Sequence, residues 1–284
     1  MKCHFSKCAQ KGLTLLEVMV ALTLGFFVIA SILQIFFSTK QAYRLQDAIS
    51  MLQENGRFSL DFLSRYIRMA GYRENRPPPG TKLPLPQDTS FTPQPPTAAF
   101  RPDSNSNSNF TEGQVLTGVD NDSNSHNAIT FRYQGSSDGV VDCFGNPVLD
   151  NQMVTITFSL APTDPNNPAT DMSLRCQSTI SPGPQPLVPG IADMQILYGV
   201  QNQDVGGNIL GQQYMNATAV NAQNSWNNVI SVKIALLLQS DDNITTQSQT
   251  YRFPPWDTGN PTTAKDLRLR RIFTTTVNLR NLTK

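Results

Sequence analysis

Several groups of residues in the 284-residue sequence have types and spacing that could do chemistry. Gly135-Ser136-Ser137-Asp138-Gly139 fits G-x-S-x-G, in which a serine on a sharp strand-to-helix turn attacks a carbonyl. That reaction needs a histidine base beside the serine. Apart from His4 near the N-terminus one histidine remains, His126, and it precedes the serine in a Ser/Asn-rich stretch. Turn-forming residues fill the motif, so it reads as a hairpin turn. Asp120-Asn121-Asp122-Ser123-Asn124 offers oxygens at alternating positions, as a calcium loop does. The sixth position is Ser125 instead of glycine and the twelfth is Phe131 instead of glutamate, so it fails as an EF-hand. Asp241-Asp242-Asn243 is a weaker cluster of the same kind. Cys3, His4 and Cys8 lack the fourth ligand of a closed metal site. The expectation is a non-enzyme with no catalytic residues, no cofactor and no metal.

One further group opens a long apolar run: Lys11-Gly12-Leu13-Thr14-Leu15-Leu16-Glu17. From Leu13 to Phe37 the 25 residues hold one ionisable side chain, Glu17. A helix of that length reaches about 37 Å, enough to cross a bilayer core of roughly 30 Å. Lys2, Lys7 and Lys11, with no acid among them, place the N-terminus in the cytoplasm and everything after Phe37 in the periplasm. A secretory signal has its small-residue cleavage site after the apolar stretch; none follows before Lys40. The junction ahead of the run instead resembles the class III signal of type IV prepilins. The resemblance implies that a prepilin peptidase cuts after Gly12 and methylates Leu13, the new amino terminus, where the family usually has phenylalanine. It also makes Glu17 the family's acidic assembly contact. A carboxylate in an apolar helix is expensive, and no basic residue lies between Gly12 and Lys40. Cleavage would create a partner, the amino group of Leu13, in the same subunit or in a neighbour. The plainer alternative is a signal anchor whose glutamate snorkels to the interface.

These residues must be carried by a helix that continues beyond the membrane. No proline occurs from Met1 through Arg76. Leu45, Ala48, Ile49 and Leu52 recur at helical spacing, as do Phe58, Phe62, Tyr66 and Ala70. Arg57–Asp61 and Asp61–Arg65 are four-residue ion pairs in prospect. Asn55-Gly56 is a place for a bend, and Gly71 with Pro77–Pro79 marks the end. The stretches Leu52–Phe58 (LQENGRF), Ile67–Tyr72 (IRMAGY), Met194–Val200 (MQILYGV), Val229–Leu238 (VISVKIALLL) and Arg271–Asn281 (RIFTTTVNLRN) look like the PilW family of minor pilins.

Residues 73–127 are rich in Pro, Ser, Asn and Thr and read as a loop or linker. Period-two alternation then predicts strands at Ile129–Tyr133, Val154–Leu160, Ile230–Leu238 and Phe273–Leu279. Asn/Pro/Gly stretches around 161–170, 201–213 and 254–262 read as loops. A half-polar sheet packed on the helix gives an α+β, pilin-like fold: a long N-terminal helix, membrane-spanning and then amphipathic, on an antiparallel β-sheet with long loops. The organisation is leader 1–12, transmembrane half 13–37, periplasmic half of the helix 38–72, linker 73–127 and β-rich head 128–284. Cys143 and Cys176 fall in the oxidising compartment and are a candidate disulfide closing a loop of about 34 residues, worth about 3–4 kcal/mol. The alternative is two unpaired buried thiols. Trp226 and Trp256 beside strands read as partial core.

Charge excludes one class of partner. Without the leader's three lysines the chain has 19 Lys/Arg against 21 Asp/Glu, which does not suit a phosphate-neutralising surface, so nucleic acid is not expected. Lys265, Arg268, Arg270 and Arg271 read as a solvated strand edge. The resemblance implies a minor pilin in the inner membrane that helps initiate type IV pilus assembly and stays near the fibre tip. Its partners would be other minor pilins, the major pilin, the prepilin peptidase and the pilus assembly platform, and twitching motility would depend on it indirectly. The alternatives are a pseudopilin of a type II secretion system, or a periplasmic binding or adhesive module on a prepilin-type anchor.

Overall fold

The computed structural model describes residues 14–73, 110–111, 113–120, 126–136, 139–150, 152–164, 171–203 and 209–281. The leader with Gly12 and Leu13, Pro77–Pro79, the 104–109 repeat, residues 121–125 and Ser137-Asp138 lie outside them. The chain divides into two compact units, Met1–Asp47 and Ala48–Lys284.

The first unit is the N-terminal part of α1 (Leu15–Ile67), a helix of 53 residues. The second holds the rest of α1 and the head. α1 runs through Asn55-Gly56 as one unbroken element. Leu52, Gly56, Ser59, Leu63, Tyr66 and Ile67 form its buried face, the three-and-four spacing of an amphipathic helix. Phe58, expected on that face, is exposed instead. Gly56 explains what the glycine does. A Cβ built there would meet the Phe273 ring at 2.5 Å, so the missing side chain lets the ring lie on the helix backbone. After Ile67 a turn ends at Gly71, whose φ is +75° and whose N–H donates to Arg132 O. Neither Arg57–Asp61 nor Asp61–Arg65 closes as an ion pair among the described residues.

Where one sheet was expected, two form. The first has the order β1–β2–β3–β4–β5, all antiparallel neighbours: β1 (Leu116–Val119), β2 (Ala128–Gln134), β3 (Met153–Pro162), β4 (Met172–Ser178) and β5 (Gln185–Pro189). The second has the order β11–β8–β6–β7: β6 (Ile191–Gln203), β7 (Ile209–Met215), β8 (Val229–Asn243) and β11 (Arg268–Asn278). A short helix, α2 (Ala217–Ala222), and a 3-10 turn (Trp226–Asn228) join β7 to β8. β9 (Thr250–Tyr251) and β10 (Thr262–Thr263) pair as a ribbon. Two expectations are corrected here. β1, with buried Val115 and Leu116, stands inside the stretch 73–127 read as linker. β7 begins inside the stretch around 201–213 read as a loop and runs to Met215; its Gly211, Gln212 and Gln213 hide any apolar alternation.

The head core lies where the buried face of α1 meets both sheets. Phe62 and Tyr66 pack edge-on against Phe158 of β3; Phe273 of β11 meets Gly56. Inward positions of the second sheet are Ile196, Tyr198, Val232, Ile234, Leu236, Leu238 and Val277, all buried. Its opposite face is covered in part, since Ala235 and Leu237 are buried as well. The segment after β8 supplies that cover. Tyr251 lies under the Arg270 guanidinium, and Trp256 lies 5.1 Å from Lys233 Nζ.

At that seam Arg270 hydrogen-bonds both oxygens of Asp266, at 2.6 and 2.8 Å, and holds its carboxyl at about 2. A depressed carboxyl stabilises the fold above its ordinary value near 4, and that contribution is lost as pH falls through about 2. Asp266→Asn should therefore lower Tm at pH 7 and converge with the parent protein as pH falls from about 4 to 2. A gap that persists at the acid end would contradict the pairing. Gly56→Ala should cost about 1–3 kcal/mol by overpacking, measured by denaturation of the detergent-solubilised protein. The cost should shrink clearly when Phe273 is also changed to Leu. Equal losses in both backgrounds would show that the ring does not require the glycine.

Candidate functional site

The site the sequence singles out begins where the described helix begins. Thr14 caps α1: its Oγ1 accepts the Glu17 N–H at 3.3 Å, and its carbonyl accepts from Val18 N at 3.2 Å. Thr14-x-x-Glu17 has the spacing of a capping box, a signal available in the sequence and overlooked there. Glu17 thus stands in the first turn, where the helix dipole favours a negative charge. Its side chain is exposed, and no ion pair involves it among the described residues.

Around and beyond Glu17 the helix is apolar on every side. Large hydrophobic residues from Leu15 to Phe37 are exposed throughout, Phe26 at 71% and Phe27 at 70%. Water does not tolerate a continuous apolar surface of this extent on a lone helix. Hydroxyls along the run turn back onto the helix: Thr23 donates to Val20 O, Ser31 to Phe27 O and Ser38 to Ile35 O, at 2.8–2.9 Å. Satisfying polar groups within the segment is what a hydrocarbon solvent demands. The helix is long and apolar enough to cross a membrane.

Residues 7–33 match the prokaryotic N-terminal methylation motif, and residues 163–281 match the family described as Type IV Pilus-assembly protein W. The chain thus joins a prepilin-type N-terminal motif to a region, residues 163–281, that is similar to the PilW family of type IV pilus-assembly proteins. The PilW match takes in β4 to β11, and three of the quoted stretches lie inside it as the long strands β6, β8 and β11. The stretches Leu52–Phe58 and Ile67–Tyr72, on and just after α1, lie outside both matched ranges. Among solved structures, the chain is similar to a type IV-like pilin from Thermus thermophilus. Identity is 15%, the match covers 85% of this chain and 99% of that one, and the TM-score is 0.43. No curated protein matches. Pilins of this family are structural, and the chain is not an enzyme.

The head's other candidates have structural partners. Cys143 and Cys176 form a disulfide that ties residues 139–148 to β4. Hydroxyls hold the same loop: Tyr66 OH donates to Asp142 O at 2.8 Å and Tyr133 OH to Val141 O at 2.9 Å. Burial pushes the Tyr133 hydroxyl up, which keeps it a donor. Burial also raises the Asp142 carboxyl, but hydrogen bonds from Ser181, Asn146 and Phe144 outweigh it and hold the group below its ordinary value. Asp120, read as one end of a calcium loop, accepts Ala217 N and Thr218 N and so caps α2. Asn243, in the second oxygen cluster, accepts Leu267 N. His126 lies 3.0 Å from Asp193. Trp226 is buried against Tyr198, with its N–H on Asn221.

The basic cluster is corrected in one respect. β11 is a sheet edge, but Arg268 pairs with Asp171, and Arg270 is only 8% exposed. A solvated row of cations does not describe it.

Replacing both Cys143 and Cys176 by serine should lower stability by about 3–4 kcal/mol through loop-closure entropy. Dithiothreitol should lower the Tm of the parent protein and leave the variant unchanged. A parent Tm insensitive to reductant would show that the bond adds nothing to the hydroxyl contacts.

Proposed function

We propose that this chain is a minor pilin that helps initiate assembly of a type IV pilus and stays at or near the fibre tip. Residues 13–37 cross the inner membrane, the N-terminus is cytoplasmic and the head is periplasmic. A prepilin peptidase cuts after Gly12 and methylates Leu13. Other minor pilins, the major pilin and the assembly platform are the partners.

The observation that carries the reading is the uncovered apolar segment with a single exposed carboxylate in its first turn. In hydrocarbon an unpaired acid costs roughly 2.5–3.5 kcal/mol at a helix centre and less near an end. Cleavage beside Leu13 makes an amine within reach of that carboxylate, in the same chain or a neighbouring one. Pairing between chains fixes how far one helix is displaced along the next, so the charge pair sets register while the apolar surface supplies contact area. The head supports a terminal position: two sheets, a covering ribbon and a disulfide-fastened loop make it bulky for repetition along a shaft.

The test compares Glu17→Ala and Glu17→Asp in cells lacking the native copy. The alanine variant should reach the membrane at normal level, be lost from sheared fibres and leave fewer fibres. The aspartate variant should recover part of both. Alanine incorporated as well as glutamate would contradict the registration role. Immunogold labelling of the head along the shaft, and not at ends, would contradict the tip position.

A further inference from the structure

An edge strand turns the N–H and C=O of every second residue away from its own sheet, and so offers a template to other chains. Of the four edges that the two principal sheets show among the described residues, three are defended. β1 is four residues long and has α2 against it. β5 carries Pro186 and Pro189, which lack the N–H a neighbouring strand would need. β11 carries Arg268, Arg270 and Arg271, is bulged between Arg268 and Arg270, and is followed by Asn281, which donates to Arg68 O and Ala70 O beyond α1.

β7 is bulged at Leu210, between the Asn202–Gly211 and Gln203–Ile209 pairs, but has no other of these devices among the described residues. Its sequence, ILGQQYM, holds no charge and no proline. Residues 210–214 are exposed without interruption, Leu210 at 71% and Tyr214 at 40%. From Gly211 onward alternation puts Gln212 and Tyr214 on one face, beside Ser231 and Lys233, and Gly211 and Gln213 on the other; all of them, with the bulged Leu210, stay exposed. Among the described residues no strand pairs with its outer edge. A long, neutral, partly apolar edge is an aggregation hazard unless something occupies it.

We propose that the β7 edge receives an extended, uncharged segment of a different subunit of the fibre, which joins the second sheet as a strand beside β7. The inference rests on the fibre-subunit reading above. Main-chain hydrogen bonds supply affinity in such strand addition, and alternate side chains supply selectivity. Exposed Leu210 and Tyr214, with Gln212 between them, select apolar residues flanking a polar one. β7 itself offers a charged strand no counter-ion, and the cation on that face, Lys233 of β8, already lies against the Tyr214 and Trp256 rings. A second copy of this chain is the other occupant with suitable chemistry. Two β7 edges pairing antiparallel, however, form an isologous contact that closes as a two-fold dimer, and subunits stacked in a fibre are not so related.

A photo-cross-linking amino acid placed at Leu210, with Gln185 of β5 as the control edge, tests this in piliated cells using the full-length chain. The expected result is a cross-link from Leu210 and not from Gln185 in sheared fibres. Mass mapping should place it on an uncharged stretch, with alternating apolar residues, of a different fibre subunit. Tyr214→Lys should abolish it while the Cys143–Cys176 disulfide and the Tm stay intact. No cross-link from protein recovered in fibres, or one mapping to a charged or helical segment, overturns the proposal and leaves the fibre reading standing. A product of twice the chain mass, mapping β7 to β7, assigns the edge to a second copy and overturns the choice of occupant. A chain absent from fibres altogether overturns both readings.

Discussion

Everything in this protein follows from one helix that must satisfy two solvents. Along its first part α1 shows apolar side chains on all sides, and they are exposed among the described residues. Hydrocarbon, or the equivalent surface of other helices, is the environment in which such a segment is stable. From Leu52 onward the same helix has one buried stripe and a polar remainder, which suits water on one side and a β-sheet on the other. The lone acid at Glu17 is tolerable near the end of the apolar part, where the capped first turn and the helix dipole offset some of its cost.

The head answers the second requirement. A single sheet covers one side of a helix, but Leu63, Tyr66 and Ile67 are buried on a wide stripe, and two sheets share the work. Phe62 and Tyr66 lean on β3 in one sheet; Gly56 yields its side-chain volume to Phe273 in the other. The disulfide, the two tyrosine hydroxyls and the asparagine near the C-terminus then fix the loop and the chain end against this core.

Much of this was legible in the sequence because its physical signals are local and periodic. The apolar run, the amphipathic continuation and the alternation of β3 and β8 all follow from spacing alone. So does the α+β class. What escaped was set by tertiary contact. Gly56 reads as a helix breaker until the ring that needs its vacancy is known. β7 reads as a loop because its alternation is carried by glutamine and glycine. Asp120 has the composition of a cation ligand and the role of a helix cap, decided by a helix nearly a hundred residues away. The Thr14 cap, by contrast, is written in local spacing, a threonine three residues before the acid.

The central claim is that the apolar helix becomes an assembly element by losing the leader in front of it. Intact-mass measurement of the protein from cells with and without prepilin peptidase tests this most directly. The account predicts loss of residues 1–12 and one methyl group on Leu13 only where the peptidase is present. An unprocessed chain in both strains would contradict it, leaving an anchored periplasmic module whose Glu17 has no amine to pair with.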